Sequence, residues 1–228
     1  KAKAAGCLPV ASAAEACDGA EAVVTMLPAG RHVEAVYTDS VFAAAPPSAI
    51  LIDCSTIDVA TAKRVGEAAL TKGLTMVDAP VSGGQAGAQN GQLTVMCGGD
   101  QAAYEAALPV ILAYARACTL LGPVGSGQLA KMVNQICIAG ILQGLAEAIA
   151  FGQNAQLDMK QVLDVISKGA AQSWQLENRG KTMVDGKFDF GFAVDWMRKD
   201  LGLVLQEARR NGSRLPLTAL VDQFYEIG

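Results

Sequence analysis

Three short apolar runs, at residues 22–28, 49–54 and 74–79, constrain this chain more than anything else in it. Each is rich in Val, Ile, Leu or Met and reads as a buried strand, the first ending at Pro28. Helix patterns fill the gaps. One spans about residues 32–44 and is closed by Pro46-Pro47. The next is capped by Ser55-Thr56 and stopped by Gly73. Strand, helix, strand, helix, strand at this spacing demands crossover connections and a parallel sheet. Ligands then bind at the carboxyl ends of the strands. Those ends are Met26-Leu27-Pro28, Cys54-Ser55-Thr56 and Asp78-Ala79-Pro80. Pro and Ser/Thr at these points also serve as ordinary turn and cap formers.

Ahead of the first strand, Ser12 and Glu15 are spaced as in a capping box. After the third, residues 93–97 and 117–121 predict two more strands, flanking a helix at about 101–114 that Asp100 caps. Gly122-Pro123 closes this part. Beyond Gly125 only helix patterns occur, at about 127–154, 159–166, from near Ser173, at 195–211 with a Gly212 stop, and at 217–227. The expected organisation is an α/β domain over residues 1–123, then an all-helical substrate and dimerisation domain over 124–228, joined by a long interdomain helix.

Composition narrows the function. A 228-residue chain that is 51% hydrophobic and 18% charged, with 24 glycines, suits an α/β enzyme. The net charge is -4 and no Lys/Arg cluster occurs, which argues against nucleic acid. The six cysteines are irregularly spaced, mostly in apolar runs, as reduced thiols of a cytoplasmic protein are. The single histidine, His32, excludes two-His metal sites, and no metal site is expected. A Ser-His-Asp triad would have to use His32, and no Gly-x-Ser-x-Gly elbow is present. No apolar signal segment opens the chain. The apolar run at 132–151 contains Asn134, Gln135, Gln143 and Glu147, so a core helix is expected rather than a membrane span.

Four features carry possible chemistry. Gly125-Ser126-Gly127 runs into a nearly uncharged helix bearing Lys131, Asn134 and Gln135. Asn134 lies about 60° to one side of Lys131 and Gln135 about 40° to the other. A Lys in an apolar helix can act as general acid or base, because burial lowers its pKa towards neutrality. Near a helix start it can equally snorkel to water. Ser82-Gly83-Gly84 lets backbone N–H groups converge on a carboxylate, or is a turn that needs positive φ, within an ordered loop that runs to Gly91. Lys199 can reach a cofactor or phosphate, or pair in solvent with an acidic neighbour such as Asp200. Trp174 can wall a small-molecule pocket or pack a domain.

Together these residues resemble the β-hydroxyacid dehydrogenase family, which includes 3-hydroxyisobutyrate dehydrogenase and tartronate semialdehyde reductase. The matching motifs are Met26-Leu27-Pro28, Asp53-Cys54-Ser55-Thr56, Asp78 through Gly84, Gly125-x-Gly127-x-x-x-Lys131-x-x-Asn134, and Gly191-Phe192 through Lys199-Asp200-Leu201. The resemblance implies a Rossmann-like domain followed by the helical one. It implies NAD or NADP as cofactor and a small 3-hydroxy acid or its semialdehyde as substrate. Lys131 would be the catalytic acid/base. Ser82, Gly83 and Gly84 would hold the substrate carboxylate, with Asn134 and Gln135 orienting substrate and Lys131. Leu27, Pro28 and Thr56 would line the nicotinamide, and Phe192 and Lys199 would contact the cofactor. His32 falls where some members place a cofactor-contacting Asn. A homo-oligomer, dimer or tetramer, is expected; the long apolar helix after Lys131 suggests burial against a second subunit, and a single-chain core would read the same way.

One departure is large. The family opens with a strand, a Gly-x-Gly-x-x-Gly turn, a helix and a second strand, and none of these is in residues 1–228. The Rossmann-like domain is therefore expected to be N-terminally truncated, without the pyrophosphate cradle or the residue that chooses NAD or NADP. An imine reductase of the same fold is an alternative that Lys131 argues against. A non-catalytic small-acid binder and a purely structural module are the others.

Overall fold

A computed structural model describes residues 3–189 and 191–227. The chain divides into two compact units, Lys1–Lys131 and Met132–Gly228. In chain order the first unit holds α1 (Ala13–Cys17), β1 (Ala22–Thr25), α2 (Gly30–Val36), α3 (Phe42–Ala44), β2 (Ile50–Asp53), α4 (Val59–Thr71), β3 (Thr75–Asp78), β4 (Val81–Ser82), α5 (Gly84–Gln89), β5 (Leu93–Cys97), α6 (Gln101–Ile111) and β6 (Ala115–Leu120). It also contains the start of α7 (Ser126–Asn154).

β1, β2 and β3 pair in parallel in that order. Every residue of β2 is buried, and its side chains alternate between two cores. Ile50 and Ile52 pack with Val77 and with Ala103, Ala107 and Ile111 of α6. Leu51 packs on the opposite face with Val33, Tyr37, Val65 and Met76. Helices cover both faces, which is why the strand is written as one apolar run.

A second group of strands follows, in the order β4, β5, β6. β5 and β6 are parallel, whereas β4 runs antiparallel to β5. The two groups meet where Asp78 and Gly98 exchange backbone hydrogen bonds of 3.0 and 2.8 Å. The loop expected after Gly83 contains α5, and β1 stops at Thr25, short of Pro28. The helix predicted at 32–44 is interrupted by a π-helical turn at Tyr37–Val41. Ser55-Thr56 does not cap α4. Asp58 does, its Oδ1 accepting the Thr61 N–H at 2.8 Å. Ser12 caps α1 as expected, and the Glu15 carboxylate reaches back to the Ala11 N–H.

The second unit contains the rest of α7, then α8 (Met159–Ile166), α9 (Trp174–Val184), α10 (Val194–Asn211) and α11 (Pro216–Ile227). Leu145 and Ile149 of α7 pack with Met159, Leu163 and Leu176. Ala139 packs with Met197, Leu201 and Val221. Gly212, at φ 78°, ends α10 in the left-handed conformation that glycine adopts without strain.

Cys17, Cys54 and Cys97 are buried and Cys118 is half-buried, whereas Cys7, just past an N-terminal turn, and Cys137 on α7 are exposed. α7 is also less of a core helix than its composition predicts. It is long and apolar enough to cross a membrane, yet only 28% of its apolar window is buried. Val133, Ile141 and Phe151 are exposed along it.

Candidate active site

The start of α7 is fastened to the ends of two strands. Asp78, the last residue of β3, is completely buried. Its Oδ1 accepts the Gly125 N–H at 2.7 Å and its Oδ2 accepts the Gln128 N–H at 2.9 Å. These are orphan donors of a helix N-terminus, which attract negative charge. Burial pushes the Asp78 carboxyl up to about 6. The two N–H bonds oppose that rise, and the nearby Asp53 adds a little to it.

Gln128 supplies a second attachment. Its side-chain Oε1 accepts the Ile57 N–H at 3.0 Å, and its Nε2 donates to the Ser55 carbonyl at 2.8 Å. Close approach at this junction needs glycine. A Cβ on Gly127 would lie 2.7 Å from the Asp78 carbonyl oxygen, and one on Gly98 would lie 2.9 Å from the Gly127 nitrogen. Three residues beyond Gln128, about 60° round the helix, stands Lys131. It is 6% exposed, so it is held inside rather than snorkelling to water. In the glycine turn before α7, the Gly125 N–H is taken by Asp78 and the Ser126 N–H by the Pro123 carbonyl.

The end of β1 is held by a buried network. Asp53 Oδ1 accepts from Thr25 Oγ1 at 2.9 Å and from the Ser55 N–H at 3.1 Å, and the Tyr37 hydroxyl lies 3.0 Å from Thr25 Oγ1. Burial raises the Asp53 pKa against these bonds. Ser55 Oγ accepts the Leu27 N–H at 2.8 Å, which fixes the chain entering Pro28. Beyond this point Met26 and Pro28 are exposed, and Leu27 and Thr56 are half-buried. Nδ1 of His32 is buried without a hydrogen-bond partner. Leu27 and Pro28 make this strand end an apolar ledge, the kind of surface on which a flat amide-bearing ring such as nicotinamide stacks.

Ser82 lies half-buried on β4, opposite Thr94. Gly83 and Gly84 follow with φ of 129° and 61°, so both positions favour glycine. Both are exposed, and a Cβ on Gly84 would meet open space. The positive φ at both positions is the turn geometry that glycine allows.

The helical unit carries a polar chain. Asn134 Nδ2 donates to Gln135 Oε1 at 2.8 Å, and Gln135 Nε2 donates to Asp200 Oδ2 at 2.7 Å. Lys199 Nζ lies 3.2 Å from Asp200 Oδ1, in an ion pair more buried than a solvated surface pair. Gln135 and Asp200 are themselves buried, so Gln135 ties α7 to α10. Phe192 is exposed at φ 58°, a rare conformation for a bulky residue, directly after Gly191. Trp174 is half-exposed, with the Arg179 guanidinium 5.0 Å over its ring.

Sequence patterns single out Lys131, Asn134, Gln135 and Lys199, and Asp200 as the neighbour of Lys199, but not the long-range bonds around them. Asp78, Gln128, Ser55 and Asp200 act through partners far along the chain. The one local signal for Asp78 is a charge at the end of a strand buried on both faces.

Comparison with known proteins adds a separate line. Residues 1–122 match the family model described as the NAD binding domain of 6-phosphogluconate dehydrogenase. Residues 125–228 match the one described as NAD-binding of NADP-dependent 3-hydroxyisobutyrate dehydrogenase. An uncharacterized oxidoreductase of Shewanella frigidimarina is 63% identical over 177 residues, which is 78% of this chain and 61% of that protein. The NAD-dependent L-serine dehydrogenase of Pseudomonas aeruginosa is 37% identical over 98% of this chain and 78% of its own length. Among solved structures, Mycobacterium tuberculosis 3-hydroxyisobutyrate dehydrogenase with L-serine gives a TM-score of 0.89 at 34% identity, covering 99% of this chain and 79% of that one. The chain therefore spans less than two thirds of the Shewanella relative and over three quarters of the other two.

Proposed function

The chain belongs to the β-hydroxyacid dehydrogenase family, and on that premise we propose that it interconverts a small 3-hydroxy acid and its semialdehyde with Lys131 as acid/base. The observation that carries this reading is the buried Lys131 on a helix whose start is pinned to the ends of β2 and β3.

NAD or NADP, when bound, supplies the hydride acceptor for oxidation and the donor for reduction. Leu27, Pro28 and Thr56 are assigned to its nicotinamide end. Phe192 and Lys199 are also assigned to the cofactor. In oxidation, Lys131 Nζ as a neutral amine accepts the hydroxyl proton of the substrate. In reduction, Lys131 as an ammonium returns that proton to the developing alkoxide. Ser82, Gly83 and Gly84 take the carboxylate through backbone N–H groups and the Ser82 hydroxyl, so the acid is held in one orientation. Asn134 orients the substrate, and Gln135 supports it from the Asp200 side.

The exposed apolar residues of α7 support a homo-oligomer, dimer or tetramer, with this helix covered by a second copy. An acidic net charge and six free cysteines suit a cytoplasmic enzyme that binds neither nucleic acid nor a membrane. Small 3-hydroxy acids, L-serine among them, and the matching semialdehydes should be screened with NAD and NADP on the full-length protein, following nicotinamide absorbance. Turnover of at least one such pair is expected. Activity confined to imines or to 2-hydroxy acids would refute the reading. Ser82→Ala is expected to raise KM for the acid more than it lowers kcat, which steady-state kinetics on the acid so identified will show.

A further inference from the structure

We infer that Asp78 is a positioning residue for Lys131, aiming the first turn of α7 from a strand end, with Gln128 fixing the rotation of that turn. The inference rests on the acid–base role proposed for Lys131.

How the other helices begin makes the contrast. Asp58, Asp100, Asp158 and Ser173 each cap α4, α6, α8 or α9 from the position just before the helix. Such a local cap satisfies orphan N–H groups and starts a helix, but it leaves the direction of the helix free. α7 takes its carboxylate from Asp78, 47 residues before Gly125 and on a different element. A surface cap would satisfy the same N–H groups without burying a charge. Burying a carboxylate is costly unless it is bonded, so this arrangement is unfavourable as a mere helix start. What it adds is a fixed point between β3 and the helix axis.

One fixed point leaves rotation about the axis. Gln128 removes it, because its donor and its acceptor are both used on the backbone that follows β2. Gly98 and Gly127 leave no slack, since a Cβ at either would meet Asp78. Lys131 is the first ionisable residue along the helix after these two attachments, three residues past Gln128 and on nearly the same face. A displacement of about 1 Å at a catalytic group can cost about a hundredfold in rate.

The test is Asp78→Asn in the full-length enzyme, with kcat expressed per nucleotide-binding site. The amide keeps one oxygen but turns an NH2 towards the second N–H of the helix. We expect kcat to fall about a hundredfold while KM for the acid and for the nucleotide stay unchanged. Amide hydrogen exchange in the segment 122–132 should quicken, while that of α6 does not. Should Asp78→Asn fail to fold, Gln128→Met carries the same prediction, because it keeps the side-chain volume and loses both bonds. Parental kcat in the folded variant, or a loss confined to KM, overturns the inference. Lys131→Ala is assayed alongside. If that variant stays active, the acid–base reading falls and this inference with it. If it is inactive beside a fully active Asp78→Asn, the positioning role alone falls.

Discussion

Asp78 gains its carboxyl pKa of about 6 from burial, against an ordinary value of 3.8. Between those two values the folded chain holds more protons at this group than the unfolded chain does. Its contribution to stability is therefore greatest in acid and falls as pH rises through the window. Asp53 is shifted in the same direction for the same reason. Protonation has the opposite effect on the site, because a carboxylic acid holds the Gly125 and Gln128 N–H groups less strongly than a carboxylate. Two outcomes follow for the enzyme between pH 7 and pH 5. Relative to Asp78→Asn, the parent protein should gain stability on acidification, about 1 kcal/mol, in denaturant titrations. Its kcat should meanwhile decline below about pH 6. Parallel stability curves for the two proteins would contradict the first, and a flat kcat would contradict the second. Lys131 was visible in the sequence because a charge in an apolar run stands out. The bonding of Asp78 was not, although the residue stands in a quoted motif, because it depends on N–H groups starting 47 residues away.

At the scale of elements, the strands and long helices were legible because their apolar periods are set by burial on one or two faces. The errors fall where a local pattern has two uses. Ser55-Thr56 has the residues of a cap, yet Ser55 holds Leu27 and Asp58 caps α4. Asp58→Ala should therefore cost about 1 kcal/mol in thermal unfolding. β4 and α5 are two and six residues long, too short for a period to be read. Gly127 belongs to the glycine turn before α7, and the structure packs it against backbone on two sides. Gly127→Ala would force a carbon against the Asp78 and Met96 carbonyls, and is expected to cost about 1–3 kcal/mol. A melting temperature equal to that of the parent would show that the junction has slack.

At the scale of the whole molecule, the family is marked by motifs spread from Met26 to Leu201, and these were legible without the structure. The destination of the apolar side of α7 was not, because a hydrophobic period reads the same whether the partner is the same chain or a second copy. Val133→Glu and Phe151→Glu lie on the exposed part of that helix. Each should lower the assembly size in sedimentation while leaving the helical circular dichroism intact. The most direct test of the central claim is the turnover of Lys131→Ala in the full-length enzyme, on the best substrate pair of the screen. A general acid/base contributes about 10²–10⁴-fold, so kcat should fall by at least the lower of these with nucleotide affinity unchanged. Retention of most of the parental turnover would contradict the assignment of Lys131 as the group that moves the proton.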